Sequence, residues 1–239
     1  HVNSFAHIGI TTFSSNTSLS HVLIQADHAL VAATSNIQGW QFTSDNVKAK
    51  QNNLWKKQLE QLLTDQAVYF VAQAIKDKTG KLLYHELYGR FADSNDQNII
   101  PMPQLMAVAE RFHLADKFDQ LVISKALVHI VSIRCPIALN LSSASLGLPE
   151  FAAWLIDILT QYRDICQFVT FEISEQSLSQ HPDSVCHLSR KLKSLGCGVT
   201  LEHFGATSSS FNHLLTIKPN NIKIDGGYSQ NIHYSDDHQ

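Results

Sequence analysis

Apolar positions along this chain follow two alternating periods. Short runs rich in β-branched and aromatic residues are bounded by polar turns and read as strands. Between them lie stretches where apolar residues recur every three to four positions, as on one face of a helix. Strands are expected at 68–75, 81–91, 136–141, 168–173, 198–201 and 221–224, and helices at 102–112, 117–130, 149–162 and 185–195. The alternation predicts an α/β domain. Between the first two of these strands, 77–80 reads as a tight turn, which predicts an antiparallel hairpin.

Ahead of this region the pattern is different. Residues 5–13 are strand-like around Gly9, 19–33 read as a helix with Leu19, Val22, Leu23, Ala26 and Leu30 on one face, and 40–42 as a short strand. Residues 46–53 are polar without an apolar period, either a linker or the start of the next helix. Leu54, Leu59, Leu62 and Leu63, with Trp55, then mark an amphipathic helix. This divides the chain into 1–44, a linker and lead-in helix at 45–65, and a main domain at 66–239.

Composition narrows the picture a little. A chain of 239 residues with 44% hydrophobic and 16% charged content is long enough for one large domain or two small ones. The net charge of −3 and the absence of a Lys/Arg run give no field to attract nucleic acid. Cys135, Cys166, Cys186 and Cys197 lack C-x-x-C spacing, so they read as free thiols in a reducing compartment and not as a zinc site. No apolar run reaches the ~18 residues of a membrane span.

The candidate chemistry sits at the strand ends. Glu86, Asn140, Glu172, Glu202 and Lys223 each end or interrupt a short apolar run, and Arg90 follows Glu86 by four residues. In a barrel of parallel strands such ends converge on one face. Taken singly, each has an ordinary explanation: a strand-end carboxylate is commonly solvated, and Asn140 before Leu141-Ser142 suits a turn cap.

Together, in this order, the segments Tyr84–Phe91, Leu139-Asn140-Leu141-Ser142, Phe171-Glu172-Ile173-Ser174-Glu175, Leu201-Glu202-His203-Phe204-Gly205 and Ile222-Lys223-Ile224-Asp225 resemble the EAL domain, the cyclic di-GMP phosphodiesterase and receptor family. The resemblance implies a TIM-like (β/α) barrel with an antiparallel first strand, incomplete at the C-terminus of this chain. Residues 1–44, with Ile8-Gly9-Ile10 and Ala26-Asp27-His28-Ala29-Leu30, resemble the C-terminal remnant of a GGDEF domain.

By that resemblance Glu86, Asn140, Glu172 and Glu202 are metal ligands for Mg2+ or Mn2+, if a metal is used at all. Lys223 orients water if the site is active, Arg90 holds a phosphate, and Gln73 faces the ligand. His203 stands where the family has an aspartate, as does Glu202, and Ala206 to Ser210 replaces a loop richer in glycine. These departures imply a degenerate domain, a cyclic di-GMP receptor with little or no phosphodiesterase activity, similar to LapD-type receptors. The alternatives are an active phosphodiesterase giving pGpG and a nucleotide-independent regulator of the CsrD type. The partners implied are cyclic di-GMP, a protein of the signalling pathway and a second copy of the chain. The implied place is the cytoplasmic domain of an inner-membrane protein.

Overall fold

The computed structural model describes residues 7–13, 18–34, 39–42, 45–92, 99–100, 102–205 and 210–229. A small unit comes first. Strand β1 (Ile8–Ile10) pairs in parallel with β2 (Trp40–Phe42) across helix α1 (Leu19–Thr34), forming its own two-stranded sheet. Gly9 permits the close approach of strand and helix: a Cβ there would lie 2.0 Å from the Ala26 carbonyl oxygen.

Helix α2 (Asp45–Asp65) follows, and it includes the polar stretch at 46–53. Strands β3 (Tyr69–Lys76) and β4 (Leu82–Ala92) then form the expected antiparallel hairpin. Its turn is built by Asp77, whose Oδ1 accepts bonds from Thr79 N, Thr79 Oγ1 and Lys81 N at 2.8, 2.6 and 3.1 Å, with Gly80 at φ 84°. These bonds, led by the Thr79 hydroxyl, hold the Asp77 carboxyl below its ordinary pKa.

The rest of the chain is β5 (Ile99–Ile100), α3 (Met102–Arg111), α4 (Ala115–Ile133), β6 (Ile137–Asn140), α5 (Ser143–Leu146), α6 (Pro149–Gln161), β7 (Val169–Ser174), α7 (Glu175–Gln180), α8 (Pro182–Ser194), β8 (Gly198–Phe204), α9 (Ser210–Ile217), β9 (Asn221–Ile224) and α10 (Gly226–Ser229). The main sheet runs β3-β4-β6-β7-β8-β9, with β5 paired to β4. From β4 through β6, β7 and β8 to β9 every pairing is parallel. The sheet is open: among the described residues β3 and β9 are its two ends, so it is an incomplete barrel.

Strand alternation sorts the side chains. Ile137 and Leu139, Val169, Phe171 and Ile173, and Val199 and Leu201 point one way. They form one core with Leu127 and Ile130 of α4, Phe151 and Leu155 of α6, and Leu188 and Leu192 of α8. A second cluster under α2 joins Leu59 and Leu62 to Phe91, Leu105 and Phe118, with Phe91 and Phe118 edge to face at 5.2 Å. Residues on the other face of the sheet, at 86, 140, 172, 202 and 223, are free of these cores. Among the described residues no helix is long and apolar enough to cross a membrane. All four cysteines are free thiols.

Candidate functional site

Five neighbouring strands contribute Glu86, Asn140, Glu172, Glu202 and Lys223 to the inner face. Register fixes their rows: Gln73 is opposite Glu86, Glu86 opposite Ala138, Asn140 opposite Glu172, and Ser174 opposite Glu202. Two of the strand ends share a local device. Ser142 caps α5 by accepting from Ser145 N, and Ser174 caps α7 by accepting from Ser177 N, at 3.2 and 3.1 Å. Each serine stands two residues after a site residue, so the strand stops and the next helix starts directly past Asn140 and Glu172. Asn140 is therefore not the cap. Its Nδ2 donates to Glu86 Oε1 at 3.0 Å.

Lys223 is at the centre. Its Nζ donates to Glu86 Oε2 and Glu172 Oε2, both at 2.5 Å, and to Glu202 Oε1 at 3.1 Å. The Lys223 side chain is 25% exposed and that of Glu172 is fully buried, so this ion-pair cluster is largely sheltered from water. Burial and the neighbouring Glu202 and Glu86 charges push the Glu172 pKa up to about 8, although Lys223 pulls it down. At Glu86 burial acts in the same upward direction, but bonds from Lys223, Asn140 and Tyr88 outweigh it and hold that carboxyl below the ordinary value. Burial works against the charged Lys223, yet its bonds to Glu172 and Glu86 raise its pKa above normal.

Glu86, Glu172 and Glu202 offer oxygens that all lie within 4.8 Å of one another. Among the described residues this is the group of acidic, His or Cys side chains placed to share an ion. Glu172 Oε1 is buried and has no hydrogen-bond partner, as is Thr200 Oγ1 beside it on the inner face. An unpartnered carboxylate oxygen among hard oxygen donors fits Mg2+ or Mn2+. Lys223 stands where such an ion would compete with it.

The expected set is thus brought together in part. Glu86, Asn140, Glu172, Glu202 and Lys223 converge. Gln73 and Arg90 line the same cleft of about 630 Å³, with Met102, Met106 and Val122 forming an apolar wall. His203 reaches the rim of the cleft but turns from the carboxylates, and its Nδ1 lies 3.0 Å from Asp225 Oδ2, with its side chain 63% exposed. The backbone explains this. The β8–β9 register slips between Leu201 and Phe204, and His203 sits there at φ 53°, in the left-handed region. Residues 206–209 of the degenerate loop lie outside the described residues.

The sequence reading missed Tyr88 and Asp225. Asp225 carries a lowered pKa, first from the Gly227 N–H and then from His203. Both were within reach of strand alternation: Tyr88 lies between Glu86 and Arg90, and Asp225 lies two residues after Lys223.

The EAL domain family model matches residues 56–239. The chain belongs to the EAL domain family. Among curated relatives it is 27% identical over 179 residues to the cyclic di-GMP phosphodiesterase PdeF of Escherichia coli, covering 73% of this chain and 24% of PdeF. It is 24% identical over 234 residues to the RNase E specificity factor CsrD of E. coli, covering 95% of this chain and 35% of CsrD. The chain therefore spans only a quarter to a third of these relatives. A solved structure of Vibrio cholerae LapD, S helix–GGDEF–EAL bound to c-di-GMP, superposes with a TM-score of 0.75 at 20% identity, covering 96% of this chain and 57% of that one. At that identity the likeness speaks for the fold.

Proposed function

We propose that this EAL domain is a receptor for cyclic di-GMP that turns the ligand over very slowly or not at all. The observation that carries the reading is at the end of β8. Two cations about 3.5–4 Å apart need several anionic oxygens around them to offset their repulsion. This chain offers Glu202, whose longer arm Lys223 engages, and His203, which pairs with Asp225 instead. A magnesium ion prefers oxygen to imidazole nitrogen, so His203 is a poor substitute even if it swings inward.

The cleft keeps what binding needs. Arg90 has a planar fork matched to phosphate oxygens. Gln73 offers an amide, and the apolar wall opposite suits a base. One metal fits among Glu86, Asn140, Glu172 and Glu202; when bound it would polarise a phosphate oxygen and lower the pKa of a water. Lys223 supplies part of the same positive charge without it. The unit β1-α1-β2 is read as the end of a GGDEF-like domain, with the main sheet as the ligand-binding half and a protein partner reading its state.

A second reading, an active phosphodiesterase giving pGpG, is favoured by the unpartnered Glu172 Oε1 and by the retention of Glu86, Asn140, Glu172 and Lys223. A turnover assay with millimolar Mg2+ or Mn2+ separates the two. The receptor reading expects product formation far below ~1 s⁻¹, the low end of ordinary enzyme rates. Turnover at or above that rate favours the enzyme.

A further inference from the structure

Tyr88 lies between Glu86 and Arg90 in β4, and alternation puts all three on the inner face, where they line the cleft. Its surroundings are not those of a core tyrosine. The hydroxyl lies 3.2 Å from Gln73 Oε1 and is shared with the Glu86 carboxylate, so it bridges the two side chains. Because Gln73 is opposite Glu86, the bond to Gln73 runs diagonally across the β3–β4 pair. The Tyr88 ring lies 5.4 Å from the carbon of the Arg90 guanidinium, which sits over it. Arg90 Nη1 also donates to the Gly89 carbonyl at 3.0 Å. The guanidinium is therefore held by a ring beneath it and by its neighbour's backbone.

Gln73 and Arg90 are both long, flexible side chains, and Gln73 stands on an exposed edge strand. Ordering such side chains during binding costs affinity, and ordering them beforehand recovers it. An aliphatic residue at position 88 would do neither task, having no donor for Gln73 and no π face for Arg90. We infer that Tyr88 is a positioning residue for the dinucleotide, aiming Gln73 through its hydroxyl and holding Arg90 with its ring. This rests on the receptor reading above. It makes two strands, β3 and β4, act as one preset half of the cleft.

The test is calorimetric titration of cyclic di-GMP into the wild type, Tyr88→Phe, Tyr88→Leu, Gln73→Ala, Arg90→Ala and the double variants. Tyr88→Phe keeps the ring and loses the hydroxyl, so binding should weaken about three- to tenfold. That loss should shrink markedly when Gln73 is already alanine, leaving only the part due to the hydroxyl's bond to Glu86. Tyr88→Leu should lose a further two- to fivefold, and this extra loss should vanish in the Arg90→Ala background. Such coupling is a readout that general destabilisation would not produce.

Unchanged affinity in both Tyr88 variants, or losses that simply add in both backgrounds, overturn the inference alone. Should Tyr88→Leu fail to fold, the Tyr88→Phe and Gln73→Ala pair decides, since removing one hydroxyl preserves the ring's shape. A wild type that does not bind cyclic di-GMP overturns the receptor reading and this inference with it.

Discussion

Lys223→Ala is expected to cost the fold about 3 kcal/mol above pH 8, near the low end for removing one partner of a buried ion pair. Lys223 is a quarter exposed, and water screens part of the loss. The loss leaves Glu86, Glu172 and Glu202 facing one another without their shared counter-charge. Acid should relieve it, and the sign follows from linkage. A carboxyl whose folded pKa is raised, as Glu172 already is at about 8, holds its proton more tightly when folded. Its stabilising contribution is complete below the unfolded value of about 4.5 and disappears as pH climbs through the folded value. Without Lys223 the Glu86 and Glu172 carboxyls shift upward, so the variant's deficit should be small at pH 5, larger at pH 8 and complete only above it. Urea unfolding at both pH values measures it. Millimolar Mg2+ should restore more stability to the variant than to the wild type, because the ion takes the place of the ammonium. A deficit independent of pH and unmoved by Mg2+ would place Lys223 outside the carboxylate cluster.

Arg90→Ala should weaken cyclic di-GMP binding by roughly 1.5–3 kcal/mol, the scale of a charge-assisted hydrogen bond, or about ten- to 150-fold. Lysine at this position should recover only part of the loss, since an ammonium lacks the bidentate fork and packs poorly over the Tyr88 ring. Titrations of the three proteins at one fixed salt concentration decide the point. Affinity unchanged in Arg90→Ala would mean that the ligand sits elsewhere or that the cleft serves a protein surface.

Much of the sheet was legible because its strands are buried on their outer face. Ile137-Ala138-Leu139, Val169 to Ile173 and Val199 to Leu201 carry a clear apolar signal, and Asn140, Glu172 and Glu202, which end or interrupt these runs, mark the site. What escaped the sequence was governed by backbone geometry and by short local bonds. Strand β8 runs on to Phe204 through a slip in register, which turns His203 toward Asp225, and no periodicity announces such a slip. The helices α5 and α7 are four and six residues long, too short for an apolar period, though their serine caps are visible as Ser142 to Ser145 and Ser174 to Ser177. The polar residues 46–53 join a helix because the apolar face that anchors α2 lies further along, at Leu59 and Leu62. The central place of Lys223 among three carboxylates also follows from pairing across strands and not from spacing along the chain.

A cleft that holds cyclic di-GMP with Lys223 as its own cation should bind the ligand with or without a metal. Calorimetric titration of the dinucleotide into this domain, once with millimolar Mg2+ and once with chelator, tests it most directly. One saturable site is expected in both titrations, with affinities within about tenfold of each other, and no continuing heat after saturation. No binding under either condition would contradict it, as would binding seen only with Mg2+ and followed by steady heat release from turnover.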